Sequence, residues 1–226
     1  LNGLAPALHS NLANALLACG RAQEAVASAS KALALQPTFV DALCSKGNAL
    51  RELRRLVEAV ASYDQAIALN PQIPEVWSNR GNALSDLHRH AEAVASFDRA
   101  LALRPQFPDA WCNRGAALSE QGLLDEALQS YGQALALKPA YPEALNNRAN
   151  TLREMGRLQD AVEAFEQALS ARPDYPDALS NLGVTLQEIG RQDEAIARYR
   201  QALSLQGDHL KARSNLLFSL SFDPNC

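Results

Sequence analysis

Residues 74–107 read PEVWSNRGNALSDLHRHAEAVASFDRALALRPQF, and the proline near the end of this stretch decides the fold. Pro37, Pro71, Pro105, Pro139 and Pro173 lie 34 residues apart, and the residues between them return in kind. A fixed period of this length marks one supersecondary unit copied along the chain. Such a unit cannot bury its own apolar face and stacks on the next. With this proline at register position 32, complete units run 6–39, 40–73, 74–107, 108–141, 142–175 and 176–209.

Position 20 is alanine in all six units (Ala25, Ala59, Ala93, Ala127, Ala161, Ala195), and so is position 27 (Ala32, Ala66, Ala100, Ala134, Ala168, Ala202). Position 8 is Ala13, Gly47, Gly81, Gly115, Ala149 or Gly183. Position 24 is aromatic in five units: Tyr63, Phe97, Tyr131, Phe165 and Tyr199. At roughly 100° per residue, positions 4, 8 and 11 form one helical stripe and positions 20, 24 and 27 a second. Small residues at 8, 20 and 27 let two helix axes approach, and large ones at 4 and 24, including Trp77 and Trp111, fill the space beside them as core. Gly20, Gly122, Gly156 and Gly190 separate the stripes, as a helix end requires. Position 32 ends the second helix. A further proline three residues on (Pro74, Pro108, Pro142, Pro176) suits the first turn of the next helix, and an acid follows it at the positive end of the helix dipole.

This pattern resembles the tetratricopeptide repeat (TPR), and Trp77, Gly81, Leu84, Ala93, Phe97, Ala100 and Pro105 match its signature residue by residue. Position 11 departs from it with leucine for tyrosine. Position 7 departs with Lys46, Arg80, Arg114 and Arg148 for leucine, where a long cation buries its stem and keeps its head wet. The resemblance implies an all-α fold, a right-handed superhelical solenoid of helix-turn-helix repeats with the first helices on its concave side. It covers residues 1–226 as one array. Residues 1–5, which align with 69–73, are expected to be the tail of a truncated repeat, and 210–226 a partial seventh repeat or junction helix.

The 47% hydrophobic content supports a continuous core in 226 residues. A net charge of −4 argues against a nucleic-acid binder, which needs a basic face. No apolar run approaches the roughly 20 residues that span a membrane. Cys44 and Cys112 share a register position two units apart, too far for a disulfide, so reduced thiols and a cytoplasmic protein are expected. His88 and His90 have no third ligand of sensible spacing, and neither a phosphate loop nor a catalytic set is present. No metal, no cofactor and no enzyme activity are therefore expected of this chain. The basic clamp with which some TPR domains hold a chaperone carboxylate is absent, since position 2 is acidic.

Function falls to the face opposite the core stripe of the first helices, where positions 2, 6, 9 and 13 project. Position 6 is Asn11, Ser45, Asn79, Asn113, Asn147, Asn181 and Asn215. Position 9 adds Asn14, Asn48, Asn82 and Asn150. Asparagine is a poor helix-interior residue, and each amide offers one acceptor and two donors to the backbone of an extended peptide. The same amides could instead bond between adjacent helices and order the stack, and both readings stay open. Position 13 supplies Glu52, Asp86, Glu120, Glu154 and Glu188, either an acidic edge that would favour basic peptides or a solvated face with i, i+4 partners.

Residues 211–222 are apolar for a chain end, so self-association through this helix is a further expectation. Ser214–Pro224 is similar to the segment that leaves the TPR array in bacterial relatives of the O-linked N-acetylglucosamine transferase and SPINDLY family. In that family an asparagine ladder holds substrate backbone. The expected function is thus a protein-interaction module binding an extended peptide in an asparagine-lined groove. The alternative is the substrate-presenting arm of such a glycosyltransferase.

Overall fold

The computed structural model describes residues 4–221, which form thirteen helices and no strand. The chain divides into two compact units. The first, residues 1–121, contains α1 (Leu4–Ala18), α2 (Ala22–Leu35), α3 (Val40–Glu52), α4 (Leu56–Leu69), α5 (Pro74–Asp86), α6 (His90–Leu103) and α7 (Pro108–Ser119). The second, residues 122–226, contains α8 (Leu124–Leu137), α9 (Pro142–Glu154), α10 (Leu158–Ala171), α11 (Pro176–Glu188), α12 (Gln192–Leu205) and α13 (Leu210–Ser221). Leu4 and Ala5 already belong to α1, where the periodicity had put the tail of an earlier repeat; residues 1–3 of that expectation lie outside the described residues. In each unit successive helices pack on one another, and first helices also touch first helices, as α1 does α3, α3 does α5 and α5 does α7.

The alanines at positions 20 and 27 have no exposed surface in any repeat. Between the two helices of a repeat, the contact is backbone against ring. A Cβ added to Gly47 would stand 2.5 Å from the Tyr63 ring, one on Gly81 2.7 Å from Phe97, and one on Gly183 2.4 Å from Tyr199. In these three repeats glycine at position 8 lets the ring at position 24 lie against the backbone, while the fifth repeat buries Phe165 just as fully beside Ala149; each such ring buries enough surface to contribute a few kcal/mol.

The turn between the two helices places position 15 in the left-handed region throughout, at Gly20, Gly122, Gly156 and Gly190 with φ of 73–87°. The second and third repeats carry side chains there, Arg54 and His88, each at φ 58°. The next residue, an arginine in five repeats, bonds three residues ahead to a carboxylate in the first turn of the second helix, as Arg55 does Glu58 and Arg89 does Glu92, all at 2.7 Å. These arginines hold the carboxyls of Glu24, Glu58, Glu92 and Glu194 below the usual range, chiefly through the side-chain hydrogen bond.

The two tryptophans differ from expectation. Trp77 and Trp111 are half-buried rather than core, because each indole N–H needs an acceptor and finds it at the carbonyl of Pro71 or Pro105, 2.9 Å away. At the other side of the same connection, position 31 cations stack on position 34 aromatics. Arg104 lies 3.8 Å from the Phe107 ring centre, Lys138 4.0 Å from that of Tyr141 and Arg172 4.4 Å from that of Tyr175.

Two predictions come from these contacts. Gly81→Ala should cost about 1–3 kcal/mol in urea unfolding, and Gly81→Leu more, because a Cβ there would stand 2.7 Å from the Phe97 ring; unchanged stability of Gly81→Leu would refute the register. His88→Gly should raise stability by about 1 kcal/mol by relieving the left-handed backbone, read as an upward shift in melting temperature.

Candidate functional site

The amides come together on the first helices, and they bond to one another. In the first unit Ser45 donates to Asn14 Oδ1 at 2.7 Å, Asn79 Nδ2 to Asn48 Oδ1 at 3.1 Å and Asn113 Nδ2 to Asn82 Oδ1 at 2.9 Å. Position 6 thus donates 31 residues back, to position 9 of the preceding repeat. Neighbouring first helices run the same way, so one repeat minus one helical turn brings these two positions side by side. In the second unit Asn181 Nδ2 donates instead to Asn146 Oδ1 at position 5, 3.2 Å away, and Asn146 is buried with its Nδ2 3.4 Å from Asn147 Oδ1.

Of the two roles left open for these amides, bonding between adjacent helices is therefore met. Asn11 and Asn14 are exposed, but Asn48, Asn79, Asn82, Asn113, Asn147, Asn150, Asn181 and Asn215 are half-buried and Ser45 is buried. The close approach of the helices both covers the amides and gives them partners. The stack-ordering bond is therefore present, and what remains for a ligand is the unspent valence. Asn48 Oδ1 is saturated, since it also accepts the Tyr63 hydroxyl at 2.7 Å. Burial pushes the Tyr63 phenol far above its usual range and keeps it a donor, and Tyr199, which donates to Gln187 Oε1 at 3.2 Å, is pushed up to about 12. The amide N–H groups of Asn48 and Asn82, and the Oδ1 and second N–H of Asn79 and Asn113, have no intramolecular partner among the described residues.

The acidic edge is also partly committed. Asp86 lies 3.7 Å from both Arg51 and Arg54, and Glu188 accepts from Arg153 at 3.0 Å, each acid facing position 12 of the repeat before. Glu52, Glu120 and Glu154 are exposed and form no ion pair among the described residues. Beside Asn82 and Asn113 the first unit holds a recess of about 290 Å³, lined also by Arg51, Ser85, Asp86 and Ala116. The Ser85 hydroxyl is buried there without a partner. Ser85, Arg51 and Arg153 were missed by a reading of single helices. Complementary residues at offsets near one repeat length are the signal that finds them.

Among the described residues there is no cluster able to hold a metal ion and no helix long and apolar enough to cross a membrane. Tetratricopeptide-repeat models match residues 6–30, 47–88, 86–122, 108–141 and 140–208. The chain belongs to the tetratricopeptide-repeat family, as a repeat-only fold and a protein-interaction scaffold. No curated protein matches it. Among solved structures, PilW, a widely conserved type IV pilus biogenesis factor, is 26% identical over 93% of this chain and 98% of its own, with a TM-score of 0.87. PilF of Pseudomonas aeruginosa is 19% identical over 94% of this chain and 97% of its own, TM-score 0.80. YrrB, described as a TPR protein with an unusual peptide-binding site, is 24% identical over 82% and 96%, TM-score 0.62. The last two show the fold alone. These neighbours lend no support to the glycosyltransferase resemblance of Ser214–Pro224, whose residues 222–224 lie outside the described residues.

A double-mutant cycle on Asn82→Ala and Asn113→Ala should return a coupling of about 0.5–1.5 kcal/mol in unfolding free energy, the net value of one hydrogen bond. Strict additivity would mean that the amide pair does not form in solution.

Proposed function

We propose that the first unit holds an extended segment of a partner protein along its amide-bearing first-helix face, through Asn11, Asn14, Asn48, Asn79, Asn82 and Asn113. The second unit would do the same with its own Asn147, Asn150, Asn181 and Asn215. One observation carries this reading: the unspent N–H groups of Asn82 and Asn113 and the unspent Oδ1 of Asn113 beside the 290 Å³ recess. An amide that donates one hydrogen to its neighbour is held in one rotamer, so its remaining donor and acceptor are fixed before a ligand arrives. A peptide backbone needs that combination whatever its side chains. YrrB, whose fold this chain shares, is described as having an unusual peptide-binding site.

Glu52 and Glu120 in the first unit and Glu154 in the second are the acids that would meet a Lys or Arg of the partner; Asp86 and Glu188 are already neutralised. The cytoplasmic placement is part of this proposal, with Cys44 kept a neutral thiol by burial, which pushes it up to about 11. The glycosyltransferase-arm reading keeps only the sequence resemblance over 214–221. Self-association would use α13, where Leu210 and Leu217 are 74% and 63% exposed.

The test is selection of a displayed library of random dodecapeptides on the full chain. Asn79→Ala with Asn113→Ala should weaken the selected peptides at least about tenfold, roughly 1.4 kcal/mol, with helicity retained. Peptides that bind this variant as they bind the parent chain would leave the amides a purely structural role.

A further inference from the structure

At register position 7 the second unit departs from the first. Arg80 Nε reaches Asp64 at 2.6 Å and Arg114 Nε reaches Asp98 at 2.7 Å, in each case position 25 of the repeat before. Arg80 also donates to the Ser96 hydroxyl, position 23 of its own repeat, at 2.6 Å. The fifth repeat keeps the arginine as Arg148 and loses both partners, for position 25 is Gly132 and position 23 is Ala164. Lys46, the other basic residue at this position, still has Ser30 and Ser62 at those two registers. Arg148 is half-buried and makes no ion pair or hydrogen bond among the described residues.

The space of the missing side chain is open. A Cβ built on Gly132 meets nothing within 4 Å. Gly132 and Arg148 line a recess of about 350 Å³ between α8, α9 and α10, with Leu128 and Leu152 on its wall. Two acids also reach it. Asp160 is committed to Arg157, whose Nε lies 2.7 Å from it. Glu163 is exposed and makes no ion pair.

We propose that this recess receives a carboxylate side chain, an Asp or Glu on a segment of a partner protein. Three features favour that occupant. A half-buried guanidinium without a counter-charge is poorly compensated for its lost hydration, and a carboxylate supplies the charge and two acceptors in matching geometry. The same molecule pairs this arginine with a carboxylate twice, Nε to Oδ1, at Asp64 with Arg80 and at Asp98 with Arg114. The apolar wall of Leu128 and Leu152 suits the methylene groups behind an acidic head, and the recess exceeds what a bare anion fills. The site lies on elements of the second unit and does not depend on the amide face of the first.

Random dodecapeptides displayed and selected on the full chain provide the probe. The expected result is a set of clones with an obligatory Asp or Glu. Their binding falls at least about tenfold when that acid is changed to its amide and equally in Arg148→Gln. Gly132→Asp should abolish the same binding by placing an internal carboxylate in the slot, and should raise the melting temperature. Arg148→Gln serves alone if Gly132→Asp does not fold. The clones should bind the Asn79→Ala, Asn113→Ala chain unchanged, which separates this site from the amide face. Selection of no acid-requiring clones, or clones indifferent to both substitutions, overturns the proposal. So does a coupling between Arg148→Gln and Glu163→Gln in melting temperature, since Glu163 would then occupy the slot itself.

Discussion

The structure depends on one steric constraint, a small residue at position 8 that lets the two helices of a repeat meet closely, in three repeats as glycine against an aromatic ring. Gly47 against Tyr63, Gly81 against Phe97 and Gly183 against Tyr199 leave no room for a methyl group, and the alanines at positions 20 and 27 are fully buried. This sets the distance between helices within a repeat, and through it the spacing of successive first helices. Asparagine is a short side chain. Amide pairs at 2.9–3.1 Å between separate helices form only because that spacing is small.

Polar contacts then fix how one repeat seats on the next. Arg80 with Asp64, Arg51 with Asp86 and Arg153 with Glu188 all join neighbouring repeats. Exposed pairs of this kind contribute little stability each. Their effect is on register, since a stack of near-identical apolar surfaces could slide and a row of complementary charges penalises the slip. Arg148 is where this scheme is left incomplete.

The fold was legible because its causes repeat. A proline period, two invariant alanines and a small residue facing an aromatic identify helix pairs without any contact being known. The amide face was legible as a face, from the helical wheel of one first helix. Its internal bonding was not, because a wheel describes one helix and Asn113 bonds to Asn82 on another. The same limit hid Arg51 as the partner of Asp86, and made Trp77 look buried when its N–H reaches a carbonyl of the preceding repeat. Four turn glycines announced themselves in the sequence; Arg54 and His88 hold the same backbone conformation without the residue that signals it.

The pairing of Asn79 with Asn48 and of Asn113 with Asn82 has a sense of direction. Each rung sends its N–H toward the N-terminal neighbour and leaves its own carbonyl unspent. A surface with donors and acceptors ordered this way is not its own mirror along the row. A strand laid across it in one polarity and the same strand reversed end for end meet opposite patterns, so the face can discriminate the orientation of a guest without reading any of its side chains.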